Sequence, residues 1–171
     1  SQAAKIFGDE FPQIFKKLKD SKIKIKIYQQ CHNSQNDQLS EFYKKAQIDF
    51  EIFNFTSSIT YYYSKSNFVI TRSGASVLGE LINFKIPFIS IPLPTSADNH
   101  QYKNAAFYSK KGYGHFLEEK NIKSDLHDLI VSTFNDKLML NRILLNQKQR
   151  SDKNIFENLN SQIEKILNEK N

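Results

Sequence analysis

Apolar residues recur along this chain with two alternating periods, and that alternation predicts its elements. From Ala3 to Leu18 they fall at Ile6, Phe7, Phe11, Ile14, Phe15 and Leu18, the stripe of a helix. Pro12 inside the stripe predicts a kink or a helix start. Lys22 to Tyr28 reads K-I-K-I-K-I-Y, a period of two, hence a strand whose lysine face is solvated or snorkels past a neighbour. Gln35 to Ala46 predicts a polar helix and Asp49 to Phe53 a short strand, and Ser57-Ser58 caps a helix through Lys65 with Ile59, Tyr62 and Tyr63 facing inward. Phe68 to Thr71 is strand-like, Ala75 to Phe84 a helix with Val77, Leu78, Leu81 and Ile82 inward, and Phe88 to Leu93 a buried strand ended by prolines. Asp98 to Lys111 is helical, Gly112 and Gly114 punctuate, and His115 to Leu117 forms a last strand. From Asn121 the pattern stays helical, ending with Ile155, Phe156, Leu159, Ile163, Ile166 and Leu167 at helical spacing.

Strands alternating with helices of about ten residues imply βαβ units and a parallel sheet. No repeat or linker divides the sequence. The expectation is one α/β domain over residues 1–171, Rossmann-like, with flanking helices and a set of C-terminal helices over about 122–171.

Composition removes several classes of function. A single Cys31 excludes an internal disulfide and fits a reducing compartment. One Cys with four scattered His (32, 100, 115 and 127) does not make a structural zinc site, and no metal or cofactor is expected. The apolar run from Phe88 to Leu93 is too short to cross a bilayer. The net charge of +6 comes mostly from Lys; Arg stands only at 72, 142 and 150. Base-specific readers lean on Arg for bidentate contacts, so no nucleic-acid partner is expected, and the charge reads as a solvated surface weakly attracted to anionic lipid.

Two segments carry candidate chemistry. In open parallel sheets ligands bind beyond the carboxyl ends of strands, where loops lead into helices. The first segment is T-R-S-G-A-S-V-L-G-E, residues 71 to 80. Gly74 permits a tight turn, after which the amides of Ala75, Ser76 and Val77 point outward together and attract phosphate through N–H donation and the helix dipole. Glu80, about a turn and a half into that helix, has the acceptors to take both hydrogens of a ribose diol. The same residues also read as a turn capping an ordinary helix, with Glu80 solvated. The second segment is P-L-P-T-S-A-D-N-H-Q-Y-K-N-A, residues 92 to 105. Asp98, Asn99, His100, Gln101 and Asn104 supply donors and acceptors suited to a polyhydroxylated ligand, or a polar loop with Asp98 as N-cap.

Together with S-Q-A-A at the start, these two segments resemble, in order, the C-terminal half of the MurG-type N-acetylglucosaminyltransferases, glycosyltransferase family 28. The resemblance runs from Ser1 to about His115 and weakens in the C-terminal helices. It implies the donor-binding half of a two-domain GT-B enzyme, whose N-terminal half holds the acceptor and membrane sites. Ser1 and Gln2 match the end of the family's G-G-S-Q phosphate loop, and Thr56 the position whose backbone reads the uracil edge. Ala75, Ser76, Val77, Leu78, Gly79 and Glu80 match the stretch around phosphate and ribose, with Glu80 on the ribose hydroxyls; His100 and Gln101 match the pair that holds the GlcNAc hydroxyls. Arg72 and Ser73 would shape the turn. Two positions depart: His100 stands where some members have Gln, and Gln29-Gln30 where some have His-Gln.

The implied activity is inverting transfer of GlcNAc from UDP-GlcNAc to lipid I, forming lipid II in peptidoglycan synthesis, on the cytoplasmic face of the bacterial inner membrane, to which such an enzyme binds peripherally. Lipid I would be held by the other half, which would also supply the general base, so no catalytic residue is assigned. The alternative is a stand-alone UDP-GlcNAc-binding subunit that pairs with a separate acceptor and membrane subunit. The chain opens where the family has Gly-Gly preceded by a strand, so a fragment lacking its first central strand is expected. The strands at 22–28 and 68–71 should then lie about 9.5 Å apart, twice the usual spacing, with no ladder between them.

Overall fold

The computed structural model describes residues 2–150, with side chains from Lys5 onward. The elements alternate as the hydrophobic pattern predicts: α1 (Gln2–Asp20), β1 (Lys26–Gln30), α2 (Asn36–Lys45), β2 (Asp49–Phe53), α3 (Ile59–Lys65), β3 (Val69–Thr71), α4 (Ala75–Asn83), β4 (Phe88–Ser90), α5 (His100–Lys110), β5 (His115–Phe116), α6 (Ile122–Asn135) and α7 (Lys137–Gln149). The stripe read over 155–167 lies outside the described residues. No described helix is long and apolar enough to cross a membrane.

All the strand pairs are parallel, but they form two sheets. β1 pairs with β2, with Ile27 opposite Phe50, while β4 lies between β3 and β5, with Ile70 opposite Ile89. Among the described residues no ladder joins β1 to β3, as the sequence led us to expect. Between those two edges runs a cleft of about 610 Å³, lined by β1, by β3, and by Phe7, Phe11, Phe15 and Leu18 of α1.

Helices cover both faces of the larger sheet, and the pleat explains which residue meets which helix. Successive side chains on β4 point to opposite faces. Phe88 packs with Leu78, Leu81 and Ile82 of α4 and Tyr63 of α3. Ile89, with Ile91 just beyond the strand, packs with Phe11, Ile14 and Leu18 of α1 and Ile122, Leu126 and Ile130 of α6. A third cluster joins Ile27 and Cys31 to Leu39 and Tyr43, attaching α2 to the smaller sheet. Fully burying such a side chain stabilises by about 1.5–3 kcal/mol, so these clusters hold the strand ends in place.

α1 continues through Pro12, which therefore neither starts nor ends it. Proline costs one intrahelical bond, and the burial of Phe11, Ile14 and Leu18 around it offsets that loss. Gly8 lets the Gln35 amide reach this helix: a Cβ there would stand 2.4 Å from Gln35 Nε2. That nitrogen donates to the Lys5 carbonyl (3.1 Å) and to Asp9 Oδ1 (2.9 Å). Gly112, at φ 70°, ends α5 in the left-handed conformation that favours glycine.

His115 on β5 makes stability depend on pH. Burial holds its imidazole below the usual histidine pKa, and Nε2 is buried without a hydrogen-bond partner. The unfolded chain takes up the proton first as pH falls. Its contribution is therefore complete above the unfolded pKa of about 6.5 and is lost as pH drops below it. Urea midpoints measured from pH 7.5 to 5 should fall, and His115→Asn should flatten that slope whatever it does to overall stability. An unchanged slope would show that His115 takes up its proton equally in the folded and unfolded states.

Candidate functional site

The parallel register places the ends of β3 and β4 side by side, Thr71 opposite Ser90, so the loops leading into α4 and α5 leave from the same edge. At the end of β3 the Arg72 side chain is occupied by the protein itself. It pairs with Glu119 at 2.5 Å, donates to the Pro92 carbonyl at 3.2 Å and lies 4.6 Å from the centre of the Phe7 ring. Arg72 thus ties the turn to α1 and to the loop after β4, in keeping with a shaping role. Ser73 is fully buried beside it.

Gly74 is the N-cap of α4, and here the tight-turn expectation is corrected. Its φ of −65° and ψ of 134° are open to any residue, and a Cβ would meet nothing within 4 Å. What glycine leaves there is clear space above the helix start. The cap provides no side-chain bond, so the first amides of α4, on Ala75, Ser76 and Val77, have no partner within the helix. Ala75 and Ser76 are exposed and Val77 half-buried. Leu78 differs, being fully buried in the core with its amide spent on the Gly74 carbonyl at 3.0 Å. It supports the turn from below. Gly79 is half-buried with open space around its Cα.

Glu80 is half-buried and has a partner that sequence reading missed. Tyr63 on α3 lies near its carboxylate, and burial together with the Glu80 charge pushes the Tyr63 pKa up to about 12. Tyr63 therefore keeps its proton at neutral pH beside the carboxylate. The pairing follows from the packing of α3 on α4, and no spacing in the sequence announces it.

The loop after β4 turns sharply. Asp98 and Asn99 both take left-handed conformations, φ 48° and 53°, which Asp and Asn tolerate better than most residues. Asn99, not Asp98, precedes α5 as its N-cap, without a side-chain cap bond. His100 is exposed, with Nδ1 at 2.8 Å from the Ala97 carbonyl. A carbonyl requires the N–H tautomer there, which leaves Nε2 of the neutral ring as an acceptor. Gln101 is half-buried. Its Oε1 accepts from the amides of Ser73 (3.3 Å) and Leu93 (3.0 Å), and Asn104 Nδ2 donates to the Ser73 carbonyl (3.0 Å). These bonds bring the α4 and α5 segments into one site.

Thr56 lies at the end of β2, in the other sheet, where its Oγ1 accepts from the Ser58 amide at 3.0 Å. Ser58 is the N-cap of α3 but caps through no side-chain bond. Next to Thr56, Phe55 is 87% exposed, a flat apolar ring that sequence reading did not single out. α3 links this corner to the rest, through Tyr63 and Glu80. Ser1 lies outside the described residues, and Gln2 is described only as the first residue of α1. Gln29 is buried, its Oε1 accepting from the Tyr43 hydroxyl, which places it in the core of the smaller sheet.

Helix starts and hydrogen-bonding side chains gathered at the carboxyl edge of a twisted parallel sheet define a Rossmann-like α/β domain suited to a phosphate-bearing ligand. The chain belongs to glycosyltransferase family 28, whose C-terminal domain model matches residues 1–163. It is 35% identical over 173 residues to a Pelagibacter ubique protein named UDP-N-acetylglucosamine--N-acetylmuramyl-(pentapeptide) pyrophosphoryl-undecaprenol N-acetylglucosamine transferase, covering 99% of this chain and 48% of that protein. It is 36% identical over 155 residues to the protein of the same name from Rickettsia typhi, covering 87% of this chain and 40% of the relative. The chain thus spans about half the length of these curated relatives or less. Among solved structures it superposes on Acinetobacter baumannii MurG with a TM-score of 0.73 at 21% identity, over 87% of this chain and 43% of that one. A second match, the glycotransferase of kitacinnamycin, has a TM-score of 0.61 at 14% identity over 83% of this chain and 34% of that one. Both structures share the fold.

Proposed function

We propose that this chain is the donor-binding half of an inverting N-acetylglucosaminyltransferase that moves GlcNAc from UDP-GlcNAc to lipid I in peptidoglycan synthesis. The observation that carries the reading is the joining of the α4 start, with its unpartnered amides, to the His100–Gln101 corner through Ser73. The names of its relatives supply the substrates. The diphosphate lies against the amides of Ala75 to Val77, and by the family resemblance Ser1 and Gln2 belong to the same phosphate-binding loop. The ribose diol meets the free side of Glu80. Uracil lies along the Thr56 backbone, with the Phe55 ring as an apolar wall, and the sugar faces His100 and Gln101.

In the reaction the C4 hydroxyl of the muramoyl sugar attacks the anomeric carbon from the face opposite UDP. The bond to the β-phosphate oxygen breaks as the new glycosidic bond forms, and the configuration inverts. Negative charge grows on the departing diphosphate, where fixed amide donors stabilise it more than they stabilise the ground state. The acceptor and the base that takes the hydroxyl proton belong to the other half, which also contacts the inner membrane peripherally at its cytoplasmic face. The test is transfer of radiolabelled GlcNAc from UDP-GlcNAc to a lipid I analogue by the protein expressed from its complete gene. Labelled disaccharide-lipid is the expected product; release of free GlcNAc alone, or no turnover, contradicts the assignment.

A further inference from the structure

α5 grips the backbone of Ser73 from two positions. Gln101 and Asn104 stand three residues apart and so share one face of the helix. Gln101 Oε1 takes the Ser73 amide hydrogen at 3.3 Å as well as that of Leu93 at 3.0 Å, and Asn104 Nδ2 donates to the Ser73 carbonyl at 3.0 Å. The partners decide which end of each amide is which. Two main-chain N–H groups require the oxygen of Gln101, and a carbonyl requires the nitrogen of Asn104. Ser73 is fully buried and directly precedes Gly74, the N-cap of α4. Holding both its N–H and its C=O fixes the residue that leads into the Gly74 cap.

We propose that Gln101 and Asn104 are positioning residues that fix the Ser73 backbone, aim the first amides of α4, and so couple the helix bearing His100 to the helix start that meets the diphosphate. The functional half of this proposal rests on the reading of the α4 start given above. A consequence for Gln101 follows from valence. Both lone pairs of Oε1 are committed to main-chain amides, so toward a sugar Gln101 can only donate, through Nε2.

Two isosteric substitutions have opposite expected outcomes. Gln101→Glu keeps an oxygen for the two amides. Asn104→Asp puts an oxygen against the Ser73 carbonyl, where a donor is needed. Each adds one negative charge to the same turn of α5, so repulsion of a diphosphate weakens both alike. In the protein expressed from its complete gene, Asn104→Asp should bind UDP about tenfold more weakly than Gln101→Glu. Uridine, which has no phosphate, should bind the two variants equally. Amide hydrogen exchange over residues 72–77 should quicken in Asn104→Asp and not in Gln101→Glu. If Asn104→Asp does not fold, Asn104→Ala gives the same ordering without the added charge. Direct ligand contact through the two amide nitrogens would instead weaken both variants equally and leave exchange unchanged, which overturns the proposal. Should the unsubstituted protein bind UDP no tighter than uridine, the diphosphate reading fails by itself, and the exchange comparison still decides whether α5 holds the turn.

Discussion

Glu80→Gln should weaken UDP binding about tenfold or more and leave the protein folded, because one charge-assisted hydrogen bond contributes roughly 1.5–3 kcal/mol. The carboxylate is half-buried beside Tyr63, so part of its side-chain freedom is already lost before a ribose diol binds. Glutamine keeps the shape, and the apolar packing of Tyr63 on Leu78, Leu81 and Ile82 holds α3 to α4. What it loses is the charge and the acceptors turned toward the diol. Titration calorimetry with UDP measures the affinity, and a thermal melt checks the fold. Equal affinities with equal melts would make Glu80 a structural partner of Tyr63 and remove it from the ribose site.

The largest stability effect should come from filling the cleft between β1 and β3. Both edges present unpaired main-chain groups, and the space between them is lined by Ile25, Ile27, Val69 and Ile70 with the phenylalanines of α1 behind. A strand running parallel to both would complete one continuous sheet in the order β2, β1, new strand, β3, β4, β5. About eight added main-chain bonds at roughly 0.5–1.5 kcal/mol each, together with the apolar burial, would stabilise by 5 kcal/mol or more. By resemblance the strand is the one that precedes residue 1 in the family; a separate subunit could deliver the same strand in trans. Expressed alone, residues 1–171 should aggregate and melt over a broad range, and supplying such a strand, in cis or in trans, should give a soluble protein with a sharp transition. A sharp melt and a monodisperse peak for residues 1–171 alone would contradict this.

Much of the fold was legible because hydrophobic period and burial coincide. The stripe at Phe11, Ile14 and Leu18 and the run at Phe88 to Ile91 became the two sides of one core cluster or its neighbour. The departures have local causes. The K-I-K-I-K-I-Y alternation begins at Lys22, but that residue has φ 63° and closes α1, and the ladder starts only at Lys26, where β2 offers Asp49 as a partner. Alternation marks which side chains share a face; a strand also needs a neighbour to bond to. Polar residues at a helix cap and polar residues in a left-handed turn look alike in sequence, so the pattern starts a helix at Asp98 where the structure has a left-handed turn at Asp98–Asn99.

In the site, the segments were legible and the bonds within them were not. T-R-S-G-A-S marked the α4 start, yet the grip of Gln101 and Asn104 on Ser73 spans 28 and 31 residues of sequence and depends on how α5 settles beside α4. The nearness of Tyr63 to Glu80 likewise exists only because α3 packs on α4. Family resemblance placed Gln101 at the sugar; the geometry adds that its oxygen already belongs to the protein.

The central claim is that this edge of the sheet holds a uridine diphosphate sugar, and nucleotide selectivity tests it most directly. Calorimetric titration of the protein expressed from its complete gene should show UDP-GlcNAc and UDP binding at least tenfold more tightly than uridine and than ADP, since the first comparison reads the α4 amides and the second the uracil corner at Thr56. Binding of ADP as tight as UDP, or of uridine as tight as UDP, would contradict it.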